Sequence, residues 1–364
     1  MTDPKINVAV LFGGRSPEHH ISLLSARSVI DNLDKQKYLC HLVGIDKSGI
    51  WRYYGDHIVF VNEGDPTKIQ LPTTGSEVLL SASGDDHGLY YKGTGTKVAA
   101  IDVVFPVLHG LHGEDGSVQG LAKLAQLPLV GCGILGSAIC MDKDVAKRLL
   151  RDSGIAVADF VTVRKGDQHK PTYASVSAQL GSELYIKPVN LGSSVGVSMV
   201  DNEQSYREAM NLAFRYDRKV IVEEKIEGRE IECAILGNDA PQASVIGEIR
   251  PTSEFYTFES KYVDKDDAKL SIPADISADA SEKARELAVR AFTLLECRGF
   301  ARVDMFLTAD DQLVVNEINT IPGFTSISMY PKLWQYGGLA YAELLSRLID
   351  LATEHQTQQN ALMG

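Results

Sequence analysis

No stretch of the sequence is apolar for long enough to cross a bilayer, and its start, Met1-Thr2-Asp3-Pro4-Lys5, is polar and leads into a short apolar run. Neither a membrane span nor a signal peptide is expected. Cysteine is scarce: Cys40, Cys132, Cys140, Cys233 and Cys297 are scattered, odd in number and without a C-x-x-C pair. That argues against a disulfide framework and a zinc site, and for reduced thiols in the cytoplasm. Positive charge is also in deficit, with 36 Lys and Arg against 48 Asp and Glu and a net charge of -12. Such a field repels nucleic acid and anionic membranes, so any anionic substrate must meet a local cationic pocket. Two nucleotide signatures are missing as well. No G-x-x-x-x-G-K-[ST] occurs, and Gly13-Gly14 lacks the spacing of G-x-G-x-x-G. There is no internal repeat, and only the tail from His355 is low in complexity.

What is present is the composition of an ordinary globular protein, 44% hydrophobic and 23% charged over 364 residues. That length exceeds one compact core, and two or three packed units are the expectation.

Val8-Ala9-Val10-Leu11-Phe12 ends in Gly13-Gly14 and precedes an amphipathic stretch over 18–33, which reads as strand, tight turn and helix. Short buried strands recur at 41–45 and 103–108, with a helix over 116–126 and a further run at Leu129-Val130. A parallel α/β unit ending near Gly131 follows. Residues 62–97, rich in Gly, Ser, Thr, Asp and Pro, read as a surface hairpin or loop without chemistry. Ile139, Val145, Leu149 and Leu150, with a stop at Gly154, predict one capped helix over 137–152 that carries Lys143 and Lys147 on one face. Strands at 160–163, 184–187, 196–199 and 219–222, with a helix over 206–214, predict an α+β unit on an antiparallel sheet. After two more strands comes an irregular stretch, 251–269, too long for an ordinary connection and read as a functional lid. A helix over 282–295, a hairpin and a last helix over 341–354 complete the reading.

The chemistry concentrates in that hairpin. Strands 301–307 and 313–319 flank a turn at 308–312. With the turn centred between Asp310 and Asp311, Asp304 faces Glu317 and Arg302 faces Asn319 on one side of the pleat. Opposed carboxylates need a cation between them, and hard oxygen ligands match Mg²⁺ carrying nucleotide phosphates. A solvated hairpin face is the alternative. Arg302, Asn319 and the following Pro322-Gly323 weigh against it.

Lys187 ends a strand, and Gly192-Ser193-Ser194-Val195-Gly196 follows as a loop whose amides could cradle a phosphate, or which could be a plain turn. Glu223, Glu224, Lys225 and Ile226 end an apolar strand, with Gly228-Arg229-Glu230 beyond. Such an edge can serve adenine and ribose, or be only a solvated charge cluster. The segment His109-Gly110-Leu111-His112-Gly113-Glu114-Asp115-Gly116 follows a buried strand, where α/β proteins place ligands. Its two histidines lack a third nearby ligand, which disfavours zinc.

Taken together, these segments resemble the D-alanine:D-alanine ligases of the ATP-grasp group, from Val8 to about Glu354. The motifs that carry the resemblance, in order, begin with Phe12-Gly13-Gly14-Arg15-Ser16-Pro17-Glu18-His19 with Ser22, the 109–116 segment with Gln119-Gly120, and Met141-Asp142-Lys143. Lys187-Pro188 with the 192–196 loop, Lys261-Tyr262, Arg302-Val303-Asp304 and Asn316-Glu317-Ile318-Asn319-Thr320-Ile321-Pro322-Gly323 follow.

The resemblance implies an ATP-grasp fold of three units: a Rossmann-like parallel α/β unit (1–131), a central unit (132–226) and a C-terminal unit with metal site and lid (227–364), the last two on antiparallel sheets that enclose ATP. It implies ATP, two Mg²⁺ ions (Mn²⁺ as substitute) and D-alanine as small-molecule partners, with no nucleic acid or membrane, a homodimer, and a cytoplasmic role in peptidoglycan precursor synthesis. ATP would phosphorylate the first D-alanine carboxylate, and the amine of the second would attack that acyl phosphate.

By the same resemblance Lys143, Lys187 and Lys261 would hold the phosphates, with the amides of Ser193 and Ser194 closing over them. Glu223, Glu224, Lys225 and Ile226 would border the adenine and Glu230 the ribose. Asp304, Glu317 and Asn319 would ligate the metals. Glu18, otherwise a capping charge, would bind the first ammonium and link to Ser193 and Tyr262. Arg302 and the Gly323 amide would stabilise the oxyanion, and Ser328, the Met329 amide and His109 would serve the amino acids. Tyr262 would favour dipeptide over ester. The sequence departs from many relatives at His20, where glutamate is common, and at Ile321, before Pro322-Gly323. Two other readings remain: an ATP-grasp ligase with a different amine or an ester product, and an ATP-binding module that has lost the reaction.

Overall fold

The computed structural model describes residues 4–251, 268–325 and 327–363. The first sheet contains β1 (Ile6–Gly13), β2 (Tyr38–Ile45), β3 (Trp51–Tyr53), β4 (Ser76–Leu80), β5 (Gly88–Tyr91), β6 (Lys97–Ala100) and β7 (Val103–Val107), in the order β6-β5-β4-β3-β2-β1-β7. β1 lies between β2 and β7, parallel to both, and is buried from Val8 to Phe12, which is why its sequence is apolar without alternation. At its end Gly13 has φ +90°, and a Cβ there would lie 2.2 Å from the Ile45 carbonyl oxygen. The chain then enters α1 (His19–Asn32), and α2 (Ser117–Leu124) follows β7.

This sheet is mixed, where a parallel one was expected. Only β2-β1-β7 is parallel; β3, β4, β5 and β6 extend it by antiparallel pairing. Three of those strands lie in or beside the polar excursion, so the excursion is sheet edge as well as loop. Their single buried faces, with Val78 and Leu89 inward, are too short for the alternation to stand out.

The expected helix over 137–152 is two helices, α3 (Ile134–Met141) and α4 (Lys143–Asp152). Between them Asp142 leaves helical geometry (φ -89°, ψ 95°) and caps α4 by accepting from the Val145 amide. Lys219 donates to both Asp142 oxygens at 2.7 and 2.6 Å, which fixes the break. That break sets Lys143 at the first position of α4, where its side chain reaches the cleft described below.

The second sheet is antiparallel: β8 (Phe160–Arg164), β9 (Leu184–Pro188), β10 (Ser198–Val200) and β11 (Lys219–Glu224), ordered β10-β9-β11-β8. Helices α5 (Tyr173–Leu180) and α6 (Glu203–Tyr216) share its core. The third sheet, also antiparallel, is β12 (Gly228–Gly237), β13 (Gln242–Pro251), β14 (Ala268–Ser271), β15 (Gly299–Thr308) and β16 (Leu313–Asn319), ordered β14-β13-β12-β15-β16. Its core is shared with α7 (Ala278–Leu294). The chain ends with α8 (Met329–Tyr336), which the sequence reading did not anticipate, and α9 (Tyr341–Met363). Among the described residues no helix is long and apolar enough to cross a membrane.

In the β15–β16 hairpin Asp304 does face Glu317 and Arg302 does face Asn319. The route to that register differs from the expected one. Near the turn the pairs are Met305 with Val315 and Leu307 with Leu313, centred on Asp310, and a bulge between Asp304 and Met305 shifts the remainder by one residue. Asn316 is the extra residue, so it and Glu317 both line the cleft although they are adjacent on a strand.

A shared aromatic cluster joins the first and third sheets. Phe324 meets Phe105 edge-on at 6.5 Å and Phe300 at 5.5 Å, and Tyr330 lies 5.5 Å from both Phe300 and Phe324. The segment after β16 is therefore anchored in the core rather than loose at the surface.

Candidate active site

A cleft of about 720 Å³ has walls from both the second and the third sheet. One side carries Lys143, Lys187, Ser193, Ser194 and the end of β11 at Glu223 and Glu224, continuing through Lys225 and Ile226. Opposite stand Glu230 and Glu232 of β12, Arg302 and Asp304 of β15, and Asn316 and Glu317 of β16.

On the β15–β16 face, Arg302 grips Asp304 by a two-pronged contact, Nε to Oδ1 and Nη2 to Oδ2, both 2.7 Å. Asn319 donates to Asp304 Oδ2 at 2.8 Å, and Lys143 Nζ lies 3.1 Å from Glu317 Oε2. The opposed carboxylates are thus each matched by a cation, as the like-charge argument requires. No group of three or more His, Cys, Asp or Glu that could hold a metal occurs among the described residues. Two carboxylates and an amide suit Mg²⁺, which fills its remaining positions with phosphate oxygens and water and does not need a protein cage.

The cationic wall rests on a buried trio. Lys187 on β9 lies 2.6 Å from Glu223 Oε2 on the neighbouring strand, and Lys147 on α4 lies 3.2 Å from Glu223 Oε1. Lys147 and Glu223 are each 2% exposed. Burial works against every charge here, but the two ammonium groups hold the Glu223 carboxyl below its usual range. For Lys187 the same burial is outweighed by Glu223, which raises its pKa. Lys147, the more deeply desolvated, is lowered. The trio carries net positive charge beside the cleft, the local reversal that an acidic protein needs to hold a polyphosphate.

Side chains at the end of β11 divide between cleft and surface. Glu224 accepts from the Asp159 amide at 2.7 Å, and Lys225 pairs with Glu183 and Glu227 at 3.2 and 2.9 Å. The solvated-cluster reading therefore describes the Lys225 ammonium, while Ile226 and Glu230 line the cleft.

Ser193 and Ser194 have φ +51° and +57°, left-handed conformations that cost a non-glycine residue on the order of 1–3 kcal/mol. The Ser193 hydroxyl donates to Glu18 Oε1, tying this loop to the start of α1. The Glu18 carboxylate, 8% exposed, lies between two glycines: a Cβ at Gly110 or Gly192 would come within 2.5 or 3.0 Å of Oε2. The expected Glu18–Ser193 link is thus present.

His109 is not part of the cleft wall. Its Nδ1 is 2.8 Å from the Ile321 carbonyl oxygen and its Nε2 is 2.9 Å from Ser25 Oγ. A carbonyl only accepts, so Nδ1 carries the proton and Ser25 donates to Nε2. Burial, with a smaller push from Arg302, lowers the pKa to about 4 and keeps the ring neutral. Ser25 Oγ in turn accepts from the Phe324 amide at 3.2 Å. Glu114 completes the grip, accepting from the Ile321 amide at 2.9 Å and the Gly110 amide at 3.3 Å. Both backbone groups of Ile321 are therefore held by the 109–116 segment, and His109 touches the 321–324 loop rather than open space. Burial, then the nearby Glu18 charge, pushes the Glu114 carboxyl up to about 8.

Beyond that loop, Ser328 precedes α8, and its Oγ lies 3.0 Å from the Thr325 amide and 2.7 Å from Thr325 Oγ1. Met329 is the first residue of the helix, so its amide belongs to a positive helix end. Gly323 packs so closely that a Cβ there would meet Ser328 Oγ at 2.7 Å. Lys261, Tyr262 and nearly all of the expected lid lie outside the described residues.

Four residues of the site were given no role by the sequence reading. Lys147 was placed on the face of Lys143, and its burial depended on an unknown partner. Glu114 stood unnoticed inside its motif. Glu232 carried a signal, a charge between Ile231 and Cys233 in an apolar strand. Asn316 had one too: Val315 and Ile318, both buried, are three residues apart where an unbroken strand would need two.

Comparison with known proteins shows the family of the chain. A family model described as D-ala D-ala ligase N-terminus matches residues 7–132, and one described as D-ala D-ala ligase C-terminus matches 149–350. "D-alanine--D-alanine ligase A" of Escherichia coli (strain K12) is 49% identical over 358 residues, 98% of each chain. Among solved structures, the D-alanine-D-alanine ligase from Coxiella burnetii has a TM-score of 0.85 at 37% identity, covering 99% of this chain and 97% of its own. VanG D-Ala:D-Ser ligase from Enterococcus faecalis has a TM-score of 0.81 at 38% identity, covering 96% of this chain and 100% of its own. Matched from end to end by sequence and by fold, the chain belongs to the D-ala D-ala ligase family.

Proposed function

We propose that this cleft carries out the family's reaction, the ATP-dependent joining of two D-alanine molecules through an acyl phosphate for peptidoglycan precursor synthesis, with the roles that follow. The observation that supports it most is the meeting of the Lys143 and Lys187 side chains with the Asp304–Glu317 pair around one cleft, with Lys147 buried behind Glu223.

A carboxylate is a poor electrophile, and ATP converts it to one by phosphorylation. Lys143 and Lys187 bind and orient the phosphates, joined by Lys261, and the left-handed turn at Ser193 and Ser194 presents amides to them. Glu223, Glu224, Lys225 and Ile226 border the base and Glu230 the ribose. Asp304, Glu317 and Asn319 hold two Mg²⁺ ions, or Mn²⁺, which supply charge neutralisation on the transferred phosphoryl group. Glu18 binds the first ammonium and is linked to Ser193, and Tyr262 is the further residue assigned to that substrate. Ser328 and the Met329 amide orient the second carboxylate at a positive helix end. Arg302 and the Gly323 amide face the oxyanion formed when the second amine attacks. His109 and Glu114 serve the amino acids indirectly, by holding the Ile321 backbone from which Gly323 projects.

The three-unit division at 131 and 226 goes with this reading: the amino acids face the first unit, and ATP lies between the other two. A homodimer in the cytoplasm is the accompanying expectation, in keeping with five free, buried cysteines.

The test is incubation of the purified chain with Mg-ATP and millimolar D-alanine, following phosphate and dipeptide, with D-lactate and D-serine as competing acceptors. D-alanine-dependent phosphate with equimolar D-alanyl-D-alanine is expected, and dipeptide should dominate the mixed products. A folded, ATP-binding protein that released no phosphate would end the reading.

A further inference from the structure

We propose that Glu232 is a second resting place for the Arg302 guanidinium, the carboxylate that lets this arginine leave Asp304 when a divalent cation takes that side chain. The inference rests on the metal-site reading given above.

Glu232 stands directly across the β12–β15 ladder from Asp304 and is 5% exposed. Arg302 Nε lies 2.7 Å from Asp304 Oδ1 and 3.1 Å from Glu232 Oε2, so one guanidinium nitrogen is shared between two carboxylates. Asp304 is heavily committed: Oδ1 accepts from Nε, and Oδ2 accepts from both Nη2 of Arg302 and Nδ2 of Asn319. Those lone pairs cannot serve the guanidinium fork and a cation at full strength together, so cation and arginine compete for Asp304.

An arginine that lost this contest with nowhere to go would be a largely buried charge, its side chain 19% exposed, beside the ion that displaced it. Glu232 removes that penalty, and it is already within reach, so the exchange needs only rotation of the guanidinium and no backbone movement. Glu317, the other carboxylate on this face, is paired with Lys143. Release from Asp304 would also turn the Nη atoms toward the cleft, where the oxyanion forms. Glu232 is in this sense a positioning residue that acts through Arg302.

The experiment measures Mn²⁺ affinity of the full chain by paramagnetic resonance of the free ion, with a non-hydrolysable ATP analogue at saturation. Four proteins form a cycle: unsubstituted, Glu232→Gln, Arg302→Gln and the double variant. Arg302→Gln should tighten Mn²⁺ binding severalfold by removing the competitor. Glu232→Gln should weaken it about fivefold to tenfold, and that loss should vanish in the Arg302→Gln background, the non-additivity expected of residues that share a partner. An equal loss in both backgrounds would mean that Glu232 acts only through its field, and unchanged or weaker binding in Arg302→Gln would mean that no competition exists; either result overturns the proposal. If the amide variants do not fold, Glu232→Asp and Arg302→Lys form the same cycle with a smaller coupling of the same sign, and zero coupling there also overturns it. Asp304→Asn separates the two levels of the argument. Unchanged Mn²⁺ affinity in that variant would remove the metal-site reading itself, whereas strong loss without coupling in the cycle would remove only the role of Glu232.

Discussion

Replacing Glu114 with glutamine should flatten the pH dependence of stability between pH 5 and pH 8. In the folded protein this carboxyl is pushed from its ordinary 4.5 up to about 8, first by burial, then by the Glu18 charge, with a smaller push from Glu317. The amides of Ile321 and Gly110 pull the other way and lose. Because the native state binds this proton more tightly than the unfolded chain does, its stabilising contribution is complete below the unfolded value and is lost as pH rises through the folded one. The slope in that window approaches about 1.4 kcal/mol per pH unit. An isolated site would give a total of roughly 3–4 kcal/mol between pH 5 and 8, and interaction with Glu18 and residual solvent contact reduce it to about 2 kcal/mol. Glutamine imitates the protonated acid, since its amide oxygen can still accept from the Ile321 amide, and it does not titrate. The assay is the urea midpoint of both proteins at half-unit steps of pH. The unsubstituted chain should fall relative to the variant as pH rises, and parallel curves over the whole range would refute the reasoning.

Two further substitutions test other contacts of the site. Arg302→Ala should lower turnover by roughly 10²–10³ with a much smaller change in the KM for ATP, the mark of a group used at the oxyanion; steady-state kinetics decide it, and unchanged turnover contradicts the role. Lys147→Met should cost on the order of 2–3 kcal/mol of stability, less than full loss of a buried pair because Lys187 still neutralises Glu223, and should weaken ATP binding. Urea midpoints and nucleotide titration check both, and an equally stable variant would show that Glu223 does not need its second cation.

Local pattern alone determined a good deal of this protein. Alternation over 301–307 and 313–319 placed Arg302, Asp304, Glu317 and Asn319 on one face, because side chains on a strand change sides every residue. Continuous apolar character marked β1 as a strand covered on both faces, and glycine pairs marked the turn that follows. Even there the agreement was partly compensation: the turn centres on Asp310, and the bulge at Asn316 restores the register at the end that lines the cleft. The helix over 137–152 misled because the residues on either side of Asp142 keep helical spacing, and the break is enforced by Lys219, far along the chain. Glu114, Lys147 and Glu232 show where pattern stops. Glu114 meets an amide 207 residues away. Lys147 is charged, yet as deeply buried as the core, because Glu223 waits on another element. Glu232 matters only because β12 lies beside β15. Periodicity records which way a side chain faces; desolvation and pairing depend on what the rest of the chain brings against it, and that is settled only when the three sheets pack.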